Sequence, residues 1–334
     1  MHITPEVLHG FAKRYVEKRV EAERSIVAAY LRGSLLSGSP LLGGTGDIDI
    51  VFIHTSPPEI EREIKRLTPE IHYDIEHHDQ LLYREPRQLR VHPWLGPTLY
   101  NAKKLYDPQH FLAYIQAGVR GQFSEPDHVL QRTKTELESA RSFWLDHQLN
   151  PPQAGPEEIK GYLKAVEQAV NVINLLSGTP LATRRLGLEF PERAILVKHP
   201  KLYQGFLGLL GGATISIEVL REWLTFWTES LDSLPPDVCP INLHPHRKAY
   251  YRQSLTSLLE SEQPKSMLWP LLKTWTQAVS ALPDDHIATS NWKQACNELG
   301  LFGENFANRL EALDVYLERI EEIINNWNME RGAD

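Results

Sequence analysis

Apolar and polar residues alternate along two stretches of the first eighty residues, and they recur at helical spacing through most of the chain after residue 108. Val7, Leu8, Phe11, Tyr15, Val16 and Val20 follow the rhythm of an amphipathic helix, with Thr4 as its N-cap and Pro5 in its first turn. The apolar run from Ile26 to Leu31 predicts a strand that ends at Arg32-Gly33-Ser34. A turn-rich segment follows, with five glycines from Gly33 to Gly46, and then Asp47-Ile48-Asp49-Ile50-Val51-Phe52-Ile53. Side chains alternate along a strand, so Asp47 and Asp49 share one face while Ile48 and Ile50 point into the core. Ser56-Pro57-Pro58 breaks the chain and predicts the start of a helix of about ten residues through Leu67. From Glu70 to His78 the period returns to two. Ile71, Tyr73 and Ile75 face one way, and His72, Asp74, Glu76 and His78 the other. Leu99 to Tyr106 predicts an edge strand before the Asp107-Pro108 break.

Beyond Pro108 the pattern is helical. Segments are predicted at Gln109–Val119, Asp127–Leu149 (stopped by Asn150-Pro151-Pro152) and Pro156–Leu176, with two short helices broken at Pro200 within Pro191–Leu210. Ser216–Leu231, His246–Glu260, Pro264–Leu282, Asn291–Leu299 and Asn305–Trp327 follow, the last with Phe306, Leu310, Leu313, Leu317, Ile320 and Ile324 on one stripe. The predicted architecture is an α+β (α/β) N-terminal domain with a small mixed sheet, residues 1–107, and an all-α helical-bundle C-terminal domain, residues 108–334.

Composition adds limits. Hydrophobic residues make up 42% of the 334-residue chain and charged residues 23%, so a packed core is expected. The net charge of -8 argues against a general nucleic-acid binder, which needs a basic surface. It suits a cationic small acceptor better. Cys239 and Cys296 lack metal-type spacing, and a reducing cytoplasm is the expected compartment. The charged N-terminal helix does not read as a signal peptide, and no apolar run approaches a membrane span.

Two carboxylates two residues apart at a strand's start, facing a glycine-rich turn, can hold a divalent metal beside a bound phosphate. Gly33-Ser34, twelve residues, then Asp47-Ile48-Asp49-Ile50 resembles the signature of the DNA polymerase β-like nucleotidyltransferase superfamily, over about residues 5–110. The helical second domain is similar in layout to that of aminoglycoside nucleotidyltransferases. Two features depart from the pattern. Gly46 stands where the superfamily often has Ser, and the turn is long, with Ser37, Gly38, Ser39, Pro40 and a Gly43-Gly44 pair.

The resemblance implies a two-metal magnesium site with Asp47, Asp49 and Asp74 as ligands, and Gly33 and Ser34 as the cradle of the β- and γ-phosphates. Asp74 is favoured as the third carboxylate, and Glu76 is the alternative, as ligand or as general base. The implied reaction moves a nucleoside monophosphate, AMP from ATP, onto a hydroxyl of a small-molecule acceptor of aminoglycoside-like character. Nucleotidylation of a protein or an RNA end is an alternative, as is a non-catalytic nucleotide- or partner-binding protein. The partners expected are a nucleoside triphosphate and a small acceptor, with no membrane and no nucleic acid; the C-terminal helices permit a homodimer. His72, His77 and His78 are read as cleft residues or solvated positions ahead of a zinc site. Arg32 either reaches a phosphate or faces away. Lys160, Lys164, Glu167, Arg184 and Arg185 read as solvated helix faces ahead of acceptor contacts, and Trp223, Trp227, Trp269, Trp275, Trp292 and Trp327 as core.

Overall fold

The computed structural model describes residues 3–37, 40–150, 155–303 and 305–331. Gly38, Ser39, Pro151 and Pro152, named above as turn and stop signals, lie outside them. The chain divides into two compact units: residues 1–124 with 246–254, and residues 125–245 with 255–334.

In the first unit, α1 (Pro5–Ala22) opens with the Thr4 hydroxyl accepting the amide of Val7, and its Leu8, Ala12 and Val16 are buried. Five strands follow: β1 (Ile26–Arg32), β2 (Gly46–His54), β3 (Arg62–Arg66), β4 (Ile71–Asp79) and β5 (Lys103–Tyr106). They form one mixed sheet in the order β3-β4-β2-β1-β5. The β2–β4 pair is parallel and the other pairs are antiparallel. On one face, Leu31, Ile48, Ile50, Phe52, Ile71 and Ile75 pack with the buried stripe of α1. On the other, Tyr30, Val51 and Ile53 pack with Tyr83 and with Leu89, Leu99, Leu112, Ile115 and Val119 from α2 (Pro86–Val91), α3 (Leu95–Asn101) and α4 (Phe111–Arg120).

The helix predicted through Leu67 is instead strand β3. Ile60, Ile64 and Leu67 sit at helical spacing, but Ile60 is 59% exposed, so a helical stripe would have nothing to cover. As an edge strand, Arg62–Arg66 buries Ile64 and sends Arg62, Glu63 and Lys65 to partners on neighbouring elements. Charged residues are well suited to an open sheet edge. The strand read over Leu99–Tyr106 is shorter: Leu99–Asn101 belongs to α3 and only Lys103–Tyr106 is extended.

The first unit reaches past residue 107 because Asp107 is a cap rather than a break. Its two oxygens accept the amides of Leu112 and Ala113, and Gln116 of α4 donates to the carbonyls of Leu99 and Ala102. The compact units divide at 124/125, and a later segment, 246–254, belongs to the first unit as well.

The second unit is helical: α5 (Pro126–Leu149), α6 (Pro156–Ser177), α7 (Thr183–Leu196), α8 (Leu202–Leu209), α9 (Ile217–Asp232), the C-terminal end of α10 (Lys248–Leu259), α11 (Leu268–Val279), α12 (Ile287–Glu298) and α13 (Asn305–Arg331). Helix α7 starts earlier than the pattern predicts and carries Pro191 inside it. Trp227, Trp275 and Trp292 are buried, and their indole N–H groups donate to Thr274, Ser230 and Thr276, so these rings serve the core. No described helix is long and apolar enough to cross a membrane.

Candidate functional site

Strand β2 runs beside β4 with Asp47 opposite His72, Asp49 opposite Asp74 and Val51 opposite Glu76. A parallel register of this kind places the five polar residues side by side on one face. One ligand atom each from Asp47, His72 and Asp74 lies within 4.8 Å of the others, and all three residues are buried. This donor set fits a divalent cation. Two carboxylates suit magnesium or manganese, and an imidazole beside them widens the range toward zinc. His72, read from the sequence as a cleft residue, is thus part of the group.

Asp49 is half-buried and turns toward the glycine loop. Gly33 has φ of 78°, and a β-carbon there would stand 1.9 Å from Asp49 Oδ2. Gly33 opens a 3-10 turn over Ser34–Leu36, and its carbonyl accepts the Leu36 amide. The Ser34 hydroxyl donates to the carbonyl of Pro40 at 3.3 Å, inside the loop. The distal loop closes at Leu42 and Thr45, which exchange backbone hydrogen bonds across Gly43 and Gly44, both at positive φ. Gly43 lies against the backbone of Gln253, where a β-carbon would stand 2.3 Å from the carbonyl oxygen. Thr45 donates to the carbonyl of Tyr250. The long loop is therefore shaped by the 246–254 segment of the same unit.

Three arginines meet these acids. Arg62 grips Asp74 with two prongs, Nε to Oδ1 at 2.7 Å and Nη2 to Oδ2 at 2.6 Å. Arg247 lies 3.2 Å from Asp74 Oδ2 and 3.7 Å from Asp47 Oδ2, and Tyr250 donates its hydroxyl to Asp47 at 2.7 Å. Arg32 pairs with Glu76, which also meets His78 Nε2 at 3.2 Å. A chain continues from His78 Nδ1 to the Tyr83 hydroxyl at 2.6 Å and from there to Tyr30 at 3.0 Å.

The charges shift accordingly. Burial raises the carboxyl of Asp49 well above its usual range, and Asp47 and Asp74 push it further, against the pull of Arg32 and Arg247. Burial also favours the neutral form of Glu76, but the His78 hydrogen bond and Arg32 outweigh it and bring Glu76 down to about 2. Burial works against the charge on Arg247, yet Tyr251, Tyr250, Asp74 and Asp47 hold its guanidinium firmly protonated.

Of the residues picked from the sequence, Gly33, Asp47, Asp49, Asp74 and Glu76 lie around this sheet face, while the Ser34 hydroxyl is engaged within the loop. His77 lies on the opposite face, stacked on Phe52. Lys160 pairs with Glu157 and Glu167 with Lys273, as helix-surface contacts. Arg62 and Arg247 were not singled out. Arg62 was hidden in a charged run read as helix, and Arg247 lies two hundred positions away from Asp47 with no local motif around it. Compared with protein-family models and with curated proteins, the chain matches none.

Proposed function

We propose that this chain is a metal-dependent nucleotidyltransferase that transfers AMP from ATP to a hydroxyl of a small-molecule acceptor. The observation that carries this reading is the convergence of Asp47, Asp49 and Asp74 on one face of two adjacent parallel strands, with Gly33 directly against Asp49. A divalent cation, magnesium in this reading, would offset the charge of the triphosphate and of the attacking oxygen. Asp47, Asp74 and His72 would hold it, with Asp49 beside them. Gly33 would let the triphosphate approach its backbone, and the Ser34 hydroxyl would exchange its loop carbonyl for a phosphate oxygen. Asp74 is preferred to Glu76 as the third carboxylate because it belongs to the metal-competent group. Glu76, held at about 2 by its partners, is a weak base at neutral pH. The negative chain suits a cationic acceptor, so amine-bearing alcohols come first among acceptors, and proteins and RNA ends second.

The test is pyrophosphate release from ATP with magnesium or manganese across a panel of aminoglycosides, other amino-alcohols, proteins and RNA ends. Turnover with one class, lost at least ~100-fold in Asp47→Asn, is the expected result. Absence of release with every acceptor, or release indifferent to Asp47→Asn, sinks the reading. One observation favours a second reading, a nucleotide-binding protein without turnover: Arg62 and Arg247 already neutralise Asp74 and Asp47. Magnesium-dependent ATP binding with no product from any acceptor would select it.

A further inference from the structure

Asp47 and Asp74 already share one cation, and it comes from the chain itself. Arg247 is 5% exposed, and its guanidinium contacts Asp74 at 3.2 Å and Asp47 at 3.7 Å. Its other side is walled by aromatic rings, with the guanidinium carbon 5.1 Å from the Tyr250 centroid and 5.4 Å from that of Tyr251. Cation–π contact and burial fix the group in place. Tyr250 is itself anchored: its hydroxyl donates to Asp47, its carbonyl accepts from Thr45, and its ring meets His72 edge-on at 4.9 Å. The Nε of Arg247 is buried without a hydrogen-bond partner among the described residues. That arrangement gives up a hydrogen bond to keep the two-carboxylate contact.

We infer that Arg247 takes the place of one metal ion: it is the resident cation bridging Asp47 and Asp74, and it limits the acidic face to a single divalent ion. The inference rests on the metal reading above. Beside the one ion that Asp47, Asp74 and His72 would hold, a second divalent ion on the same carboxylates would meet an immobilised positive charge in a dry site, where repulsion is least screened. One divalent ion together with the guanidinium would then divide the work that two metals do elsewhere, neutralising charge at the attacking and leaving oxygens. Arg247 is a fixed charge of the site and not a surface residue. Because segment 246–254 supplies it, the complete site needs residues from two distant parts of the sequence.

The experiment counts bound Mn2+ on the 334-residue chain by electron paramagnetic resonance, with free and bound ion separated, and with no nucleotide and no turnover involved. The wild type is expected to bind about one Mn2+ per chain and Arg247→Gln about two, while Arg247→Lys, which keeps the charge, stays at about one. About two ions in the wild type overturns the inference without any variant. About one ion in both the wild type and a folded Arg247→Gln also overturns it but leaves the metal reading standing. No specific Mn2+ in either protein overturns both. Circular dichroism of each variant establishes that it is folded before ions are counted.

Discussion

The carboxylate of Asp49 lies over the backbone of Gly33, so close that a β-carbon on Gly33 would stand 1.9 Å from Oδ2. The glycine is required twice, once for this approach and once for its φ of 78°. Gly33→Ala is therefore expected to destabilise the protein by more than ~1 kcal/mol, the usual scale for alanine forced to positive φ. The two causes separate in a double-mutant cycle. In an Asp49→Ala background the carboxylate clash is gone and only the contact with the remaining β-carbon, at 3.2 Å, and the backbone strain are left, so Gly33→Ala should cost less there. Equal costs in the two backgrounds, measured by urea unfolding, would show that the carboxylate is not what the glycine accommodates.

The two-pronged contact between Arg62 and Asp74 leads to a second expectation. Asp74 is almost fully buried, and its carboxylate is paired with Arg62 and Arg247. Arg62→Ala removes two hydrogen bonds to a charged group and should cost roughly 1.5–3 kcal/mol in urea unfolding. Arg62→Lys keeps the charge but not the fork, and should recover only part of this. Full recovery with Lys would mean that charge alone matters at this position.

Which of these features were legible in the sequence follows from the range of each interaction. The period-two patterns over Asp47–Ile53 and Ile71–Tyr73–Ile75 are local, and they fixed both strands and the polar face of each, whereas the register that sets Asp49 opposite Asp74 is recorded by no local pattern. Strand β3 was misread because Ile60, Ile64 and Leu67 mimic a helical stripe; what makes Arg62–Arg66 a strand is its pairing with β4, which no local pattern records. Asp107 looked like a break because Asp-Pro often is one, and its role as a cap for Leu112 and Ala113 becomes visible only when α4 is in place. Arg247 and Tyr250 reach Asp47 from about two hundred positions away, and nothing in the intervening helical pattern announces the return.

Glu76 sets an acid limit to stability. Its folded carboxyl lies at about 2, below the ordinary 4.5. As pH falls below 4.5 the unfolded chain takes up this proton first, so the stabilisation is complete above that value and is lost as pH drops toward 2. The shift is worth on the order of 3 kcal/mol, less whatever solvent screens from a side chain that is about one-fifth exposed. Glu76→Gln should unfold more easily at neutral pH and show a flatter pH profile between 4.5 and 2. Parallel profiles for the variant and the wild type would remove Glu76 from the acid response.

A second, milder acid window comes from the other face of the sheet. His54 Nε2 and His77 Nδ1 are 2.9 Å apart, with His54 Nδ1 2.9 Å from the Ser25 hydroxyl and His77 Nε2 3.2 Å from Glu63. One proton lies between the two rings, so one ring donates and the other accepts; protonating both would set two N–H groups against each other. Burial is the main cause that lowers both rings below 6.5. For His54 the nearness of His77, Arg19 and His78 adds to it and Glu23 opposes, while for His77 Glu63 and Glu23 oppose and Arg19 adds. A depressed histidine leaves the unfolded chain as the first to take up protons on acidification. The stabilisation is therefore full above 6.5 and declines as pH falls below it, by at most ~1.4 kcal/mol per pH unit for each ring. Ring resonances of His54 and His77 should titrate in the folded protein with midpoints below 6.5. A His54→Gln, His77→Gln double variant should lose this part of the pH slope and keep the one below 4.5 that belongs to Glu76. If either ring titrates at or above 6.5 in the folded protein, the shared proton is not what holds the pair.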